Sequence, residues 1–245
     1  MTVFRHQTMG TVVSLDIRDP GADELAQEAF GLFDRADATF STFRPDSELM
    51  RLARGELAPE EASAEVREVL ALGDSFERAS GGAFTIHRGA GLDANGIVKG
   101  WTAHAAARLL ADNGVHDFCL NAGGDLICHG RPETGRRWQA GIRDPRDAKA
   151  LLGVVVLDEA AMATSGSYER GAHIIDGRTA AAPQHWTSVT VIDADLTIAD
   201  ILATTVFAMG ADGPAWAREE FGSAIITLDT HGVLDVLGSV RWAQA

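Results

Sequence analysis

The chain has 245 residues and a mass of 26.0 kDa, which fits one large domain or two small ones. Its 35 Asp and Glu against 21 Lys and Arg give a formal net charge of -14. This argues against a general binder of nucleic acids or anionic membranes, because both need a basic surface. An anionic small substrate would need a local cation or a metal.

The first half of the chain is predicted to form one strand followed by three helices. Apolar alternation predicts a strand over 11–17, and apolar residues at helical spacing predict a long amphipathic helix over 25–40. Further helices are predicted over 66–76 and from near Gly96 to a stop at Asn113-Gly114.

The second half is predicted to be rich in strands, near 117–121, 126–129, 138–142, 153–157 and 187–192. Helices are predicted over 197–209 and 215–221, and a closing hairpin over 224–228 and 233–240. Several consecutive strands between helices favour an α+β class over a regularly alternating doubly wound fold.

The two cysteines, Cys119 and Cys128, are too few for a disulfide framework and match no common zinc motif. We expect free, mostly buried thiols. The first residues contain neither an apolar leader core nor a lipidated cysteine, and we find no uninterrupted apolar run of membrane-spanning length. A cytoplasmic location is therefore the expectation.

Common catalytic motifs fail. A dinucleotide fingerprint over 89–94 lacks its third glycine, because Ala94 stands there. A phosphate-binding Walker loop is excluded, because Ile97 follows Gly96. The eight histidines are scattered, which makes a histidine-rich metal site improbable.

The first of three distinctive segments, residues 91–100, reads as a loop that enters a helix with Lys99 in its first turn. The helix dipole disfavours a cation there unless an anion lies nearby. Anion binding by Lys99 and a solvated surface lysine stay open as alternatives.

The second segment, residues 199–205, places Asp200 and Thr204 four residues apart on one face of an otherwise apolar helix. A carboxylate near the core needs a partner or a metal. A carboxylate and a hydroxyl are oxygen ligands of the kind that Mg²⁺ prefers. The alternative is that Asp200 pairs locally and that Thr204 bonds back to a helix carbonyl.

The third segment combines Thr164-Ser165-Gly166 with residues 173–179. Small hydroxyl residues before a glycine suit close approach to a ligand. His173 and Asp176 could supply a proton acceptor and its orienting partner. A structural histidine and an ordinary Asp-Gly turn are the alternatives.

Eight segments along the chain carry a combined signal: residues 9–11, 40–49, 81–84, 93–100, 121–125, 164–166, 173–179 and 199–205. They occur in the same order as in the FAD:protein FMN transferase family, also called the ApbE family and formerly the ApbE thiamine biosynthesis lipoproteins. The chain resembles this family from Met9 to about Gly210.

The resemblance implies an α+β, T-fold-like arrangement of antiparallel sheets packed with helices, as one domain over 1–245. It implies Mg²⁺-dependent transfer of FMN from FAD to a Thr or Ser hydroxyl of an acceptor protein, with release of AMP. The implied partners are FAD and an acceptor flavoprotein. Neither a nucleic acid nor a membrane anchor is expected.

The resemblance also assigns site residues. The metal ligands would be Asp200, Thr204 and the backbone carbonyl of Gly96, and His173 matches the family's candidate catalytic histidine. Flavin and phosphate contacts would come from Met9, Phe43, Ala83, Phe84, Asp93, Lys99 and Ile174.

Three features depart from the family pattern. Phe84 and Asp93 are almost adjacent where the family has a much longer stretch, so the middle region is shortened. Thr85 replaces an Asp, and in 173–179 Gly177 replaces a Pro, with Ala180 in place of the following Gly. Two alternatives therefore stand beside the transferase: an FAD pyrophosphatase that gives FMN and AMP, and a non-catalytic flavin-binding protein.

Overall fold

One antiparallel sheet of eight strands forms the centre of the computed structural model, which describes residues 2–89, 91–166 and 174–244. The spatial order of its strands is β1-β2-β5-β6-β9-β10-β11-β12. These strands are β1 (Thr2–Thr8), β2 (Thr11–Ile17), β5 (Phe118–Ala122), β6 (Asp125–His129), β9 (Ala160–Gly166), β10 (Trp186–Asp193), β11 (Ala224–Asp229) and β12 (Leu234–Leu237). Two separate hairpins pair β3 (His87–Arg88) with β4 (Gly91–Leu92) and β7 (Trp138–Asp144) with β8 (Asp147–Leu157).

Helices cover one face of this sheet. They are α1 (Asp23–Phe40), α2 (Glu48–Ala53), α3 (Ala64–Ala79), α4 (Asn95–Asp112), α5 (Leu196–Met209) and α6 (Gly213–Phe221), with short 3₁₀ turns at Pro59–Glu61 and Gly210–Asp212. Helix α5 packs on β9 and β10, and α4 packs between α5 and α1. Because α5 is enclosed on most sides, nearly all its side chains are buried, Asp200 included.

The β7–β8 hairpin covers the opposite face of the sheet. Successive strand residues point to opposite faces, so Leu120 and Ile127 join the helix-side core while Cys128 and Met162 pack with Trp138. The sheet thus lies between two apolar layers, and the larger one is on the helix side.

The predicted α+β class is confirmed, and each predicted helix and strand has a counterpart. Strands β1, β3, β4 and β9 and helix α2 were missed, and β3 and β4 have only two residues each. Strand β1 lies at an edge with mostly exposed residues, β9 reads AAMATSG without apolar alternation, and α2 is only 6 residues long. None of these gives a periodic apolar signal, because that signal arises only where one face of an element is buried.

One helical stretch among the described residues, Leu196–Phe221, is apolar and long enough to cross a membrane by composition. Of the most apolar 18-residue window in this stretch, 67% is buried inside the fold. This is the pattern expected of a core helix.

Candidate active site

A cavity of about 260 Å³ opens where the N-terminus of α4, the β5–β6 turn, the end of β9 and helix α5 meet. Nine of the residues singled out from the sequence line it together: Phe43, Ala83, Phe84, Asp93, Gly96, Lys99, Ile174, Asp200 and Thr204. Met9 lies in the β1–β2 turn at φ 50 and is not part of this wall, so its flavin contact stays a prediction. His173 lies outside the described residues.

Asp200 is buried in α5, with an exposed fraction of 6%, and one of its carboxylate oxygens is fully engaged. The backbone N–H of Gly100 donates to Oδ2 at 2.9 Å, and Lys99 Nζ donates to the same atom at 3.0 Å. Within the described residues both contacts end on Oδ2. Oδ1 is therefore the oxygen that Asp200 has available for a cation.

Gly100 is what allows α4 to approach α5 this closely. A Cβ at this position would lie 2.6 Å from Asp200 Cβ and 2.7 Å from the carbonyl oxygen of Leu196. Real Cβ contacts are not that short, so any other residue would push the helices apart. The Lys99-Gly100 pair thus brings both a cation and a backbone donor to Asp200.

We expect Gly100→Ala to lower the free energy of unfolding by about 1–3 kcal/mol, the usual cost of overpacking a tight contact. Chemical denaturation measures this. Gly31→Ala in α1 is the matched control, because its Cβ would meet only the mobile end of Arg35 at 3.4 Å. Alanine is the better helix former, so the control should be neutral or stabilising, and equal destabilisation by both variants would contradict the role given to Gly100.

Thr204 lies one helical turn after Asp200 and faces the same cavity. Its hydroxyl is 3.1 Å from the hydroxyl of Ser165 at the end of β9. The predicted alternative, a bond from Thr204 to a helix carbonyl, belongs instead to Thr205, whose hydroxyl donates to Ile201 O at 2.7 Å. The i, i+4 spacing therefore does bring a carboxylate and a hydroxyl to one cavity wall.

Lys99 is held between two carboxylates, a position that neither alternative for this residue had anticipated. Besides Asp200, its ammonium contacts Asp125 Oδ2. Asp125 is 4% exposed, and its Oδ1 accepts from the backbone N–H of Thr164 at 3.0 Å. Two carboxylates offset the unfavourable interaction of a lysine with a helix N-terminus, so Lys99 is paired although its side chain stays partly exposed.

Residues 121–125 form one of the eight segments shared with the family, but no role for Asp125 was predicted. The turn itself is set by Gly123 and Gly124, at φ +64 and +107. These angles suit a two-residue hairpin turn and favour glycine. The only signal in the sequence was an acidic residue directly after a Gly-Gly turn.

The ionisable side chains of the described cavity wall are three carboxylates (Asp93, Asp125, Asp200) and two cations (Arg88, Lys99). Arg88 Nε lies 3.2 Å from Asp93 Oδ2, so this outer pair is neutralised. The other three side chains, Lys99, Asp125 and Asp200, together carry one excess negative charge. The site therefore favours a cation before it can hold a polyanion.

Comparison with known proteins decides the family. A sequence model of the ApbE family matches residues 9–90 and 85–226.

The chain belongs to the ApbE family.

Relatives with a matching sequence carry the name FAD:protein FMN transferase. The Vibrio cholerae protein is 30% identical over 156 residues, which is 60% of this chain and 44% of the relative. A Klebsiella pneumoniae protein is 28% identical over 151 residues, 58% of this chain and 43% of the relative. The aligned part of the chain thus spans less than half the length of these relatives.

Solved structures of ApbE proteins share the fold. The flavin transferase ApbE from Vibrio cholerae superposes with a TM-score of 0.84 at 22% identity, covering 98% of this chain and 96% of that one. The apo flavinyl transferase ApbE from Pseudomonas stutzeri gives 0.82 at 24% identity, covering 98% and 94%. The expected ApbE-type fold is therefore confirmed.

In this ApbE-family chain the shortened middle region is the β3–β4 hairpin. His87 pairs with Leu92 and Arg88 pairs with Gly91, and the N–H of Asp93 then bonds to Ile86 O at 2.8 Å. This short hairpin lies at the cavity, and Arg88 and Asp93 both line the rim of the cavity.

Two departures from the ApbE pattern have local physical reasons. The N–H of Gly177 donates to Ala83 O at 3.0 Å, a bond that proline lacks, and a Cβ there would lie 2.4 Å from Gly82 O. Thr85 donates its hydroxyl to Glu77 at 2.7 Å. An Asp at position 85 would set two carboxylates against each other.

Asp176 is held within its own loop. Arg178 donates to both of its oxygens, at 2.9 and 2.8 Å, and holds the pKa of the Asp176 carboxyl below its ordinary value. Because His173 lies outside the described residues, the hypothesis that Asp176 orients this histidine stays a prediction. The bidentate pair fixes the loop that carries Ile174 into the cavity.

Proposed function

We propose that this chain is a Mg²⁺-dependent FAD:protein FMN transferase, which moves FMN from FAD to a Thr or Ser hydroxyl of an acceptor protein and releases AMP. The observation that carries the proposal is the convergence of Asp200, Thr204 and Lys99 on one cavity. The family membership and the names of the relatives agree with it.

The donor set fits Mg²⁺. Residues 2–89, 91–166 and 174–244 contain no group of three or more His, Cys, Asp or Glu side chains arranged for a metal. A cation here would rest on Asp200 Oδ1, the Thr204 hydroxyl and the Gly96 carbonyl. Mg²⁺ is typically held in this way, by one or two carboxylates together with water and substrate phosphates. When bound, it would neutralise charge on the pyrophosphate.

The residues around the metal site suit a dinucleotide. Lys99 lies between Asp125 and the proposed metal ligand Asp200, and it lines the same cavity, so its ammonium would be the cation offered to a pyrophosphate held there. Phe43 is 92% exposed at the rim of the cavity, where an aromatic face can stack on a flavin ring. Phe84 is buried in the wall beside Gly96, with its ring edge 3.1 Å from where a Gly96 Cβ would stand.

In the proposed reaction the acceptor hydroxyl oxygen forms a bond to the phosphorus of the FMN half. The bond from that phosphorus to the bridging oxygen breaks, and AMP leaves with the bond's electron pair. The hydroxyl proton passes to a base, for which His173 is the candidate, since a neutral histidine accepts a proton near pH 7. Phosphoryl transfer depends mainly on positioning and charge stabilisation, which is the part the described residues supply.

The binding test compares FAD with FMN. We expect FAD to bind more tightly than FMN, and only with Mg²⁺ present, because the site would hold both phosphates of the pyrophosphate. Flavin fluorescence titrations with and without Mg²⁺ measure both affinities. Equal affinity for FAD and FMN would count against the transferase and the pyrophosphatase alike.

The base is tested separately. His173→Ala should slow turnover by roughly 10²–10⁴-fold, the usual contribution of a positioned base, and should leave FAD affinity nearly unchanged, since a base acts in the transition state. Single-turnover release of AMP from bound FAD gives the rate. A loss below about tenfold would make His173 a structural residue.

An FAD pyrophosphatase would use the same metal site, with water in place of the acceptor hydroxyl. AMP release without a modified acceptor would favour it, and the absence of both products would favour a flavin-binding protein without catalysis. The acceptor protein and the cytoplasmic location stay predictions.

A further inference from the structure

Cys119 and Cys128 face each other across the β5–β6 ladder, behind the candidate active site. The two residues are register partners. The Cys128 thiol donates to the Cys119 sulfur across 2.8 Å, and both cysteines are free. Nothing in the proposed transferase chemistry uses them.

The register places them at a position suited to a cross-strand disulfide. Gly123 and Gly124 form a two-residue turn, so Ala122 and Asp125 are the hydrogen-bonded pair that closes the hairpin. Hydrogen-bonded and non-hydrogen-bonded pairs alternate along an antiparallel ladder. The Cys119–Cys128 pair lies three pairs further along the ladder than Ala122–Asp125, so it is a non-hydrogen-bonded pair.

The neighbouring strand agrees with this count. The N–H of Gly123 donates to Val12 O at 3.2 Å, so the backbone groups of Ala122 point to β6 and those of Cys119 point to β2. Non-hydrogen-bonded partners have Cα atoms about 4.5 Å apart, which falls inside the roughly 4.4–6.8 Å range of disulfides. The bond can therefore form with little movement of the strands.

The two thiols differ in access. Cys119 is partly exposed, whereas Cys128 is 3% exposed and packs with Trp138 and Met162 under the β7–β8 hairpin. The hydrogen bond to Cys119 and burial raise the pKa of the Cys128 thiol. An incoming oxidant therefore meets Cys119 first.

We propose that Cys119 and Cys128 form a reversible redox pair, in which Cys119 reacts first with a small-molecule disulfide and Cys128 resolves the product. The Cys119 thiolate attacks the oxidant, and one small thiol leaves. The Cys128 sulfur then attacks the Cys119 sulfur of the mixed disulfide, and the second small thiol leaves. Two protein thiols are oxidised and one small disulfide is reduced to two thiols. The new bond locks the hairpin whose turn carries Asp125.

The test uses the full chain with oxidised glutathione. We expect free thiols to fall from two to none, no added glutathione mass at equilibrium, a monomeric product and complete recovery with dithiothreitol. Peptide mapping should give a single peptide pair joined through Cys119 and Cys128. Thermal melting should shift upwards by several degrees, because the cross-link restricts the unfolded chain.

Single variants test the order of reaction. Cys128→Ser should accumulate a stable glutathione adduct on Cys119, and Cys119→Ser should react at least about tenfold more slowly at Cys128. A wild-type chain that stays reduced, carries glutathione at equilibrium or forms covalent dimers would overturn the proposal. Equal reactivity of the two single variants would overturn the assigned roles. None of these outcomes depends on FAD or on the proposed transferase activity.

Discussion

Asp200→Ala should reduce Mg²⁺-dependent cleavage of FAD by at least about 10³-fold, because metal stabilisation of a transferring phosphoryl group is worth several kcal/mol. The fold should persist. Lys99 keeps Asp125 as its partner, so the variant does not leave a buried cation without a counterion. AMP release measures the rate, and calorimetric Mg²⁺ titration of the FAD-free protein measures the metal affinity directly.

Asp195→Ala is the matched control for this helix. The Asp195 side chain caps α5 by accepting from Thr197 N at 2.7 Å and does not line the cavity. Its loss should cost about 1 kcal/mol of stability and leave Mg²⁺ affinity unchanged. If Asp200→Ala binds Mg²⁺ and cleaves FAD as well as this control does, Asp200 is not a metal ligand.

Lys99→Met should move two affinities in opposite directions. FAD should bind roughly 10- to 100-fold more weakly, because a hydrogen bond to a charged group is worth about 1.5–3 kcal/mol. Mg²⁺ should bind the FAD-free protein roughly tenfold more tightly. The Lys99 ammonium lies 3.0 Å from Asp200 Oδ2. Two unit positive charges about 4 Å apart repel each other by several kcal/mol at an effective dielectric near 20, and partial exposure lowers that figure.

Calorimetry of each ligand with Lys99→Met and Lys149→Met makes the comparison. Lys149 is exposed on β8 and is not among the residues that line the cavity, so its variant should match the wild type in both titrations. A parallel loss of Mg²⁺ and FAD affinity in Lys99→Met would show instead that Lys99 maintains the shape of the site.

The family resemblance predicted Asp200, Thr204 and Lys99 as a group, and local patterns drew attention to Asp200 and Lys99, because each of these two breaks a local rule. A carboxylate on an apolar helix and a cation at a helix N-terminus both require a partner, and a local pattern can reveal that requirement. The same patterns could not identify the partner. Lys99 meets Asp125 and Asp200 only through the sheet topology and the α4–α5 packing.

The residues that were missed give no such local signal. Gly100 reads as an ordinary helix glycine until Leu196 O and Asp200 are seen beside it. The bidentate contact between Asp176 and Arg178, two residues later, is likewise not visible in spacing alone. Strand β9 supplies Thr164 and Ser165 to the site. It consists mainly of small residues, so its sequence lacks the alternation of apolar and polar residues that predicts a strand.

A crystal structure with FAD and Mn²⁺, with data collected at the manganese absorption edge, would locate both the metal and the flavin. We expect one anomalous peak in contact with the Asp200 carboxylate, the Thr204 hydroxyl and the pyrophosphate, with Lys99 turned from Asp200 towards a phosphate oxygen. A manganese peak elsewhere, or FAD bound outside this cavity, would contradict the proposed metal and flavin site.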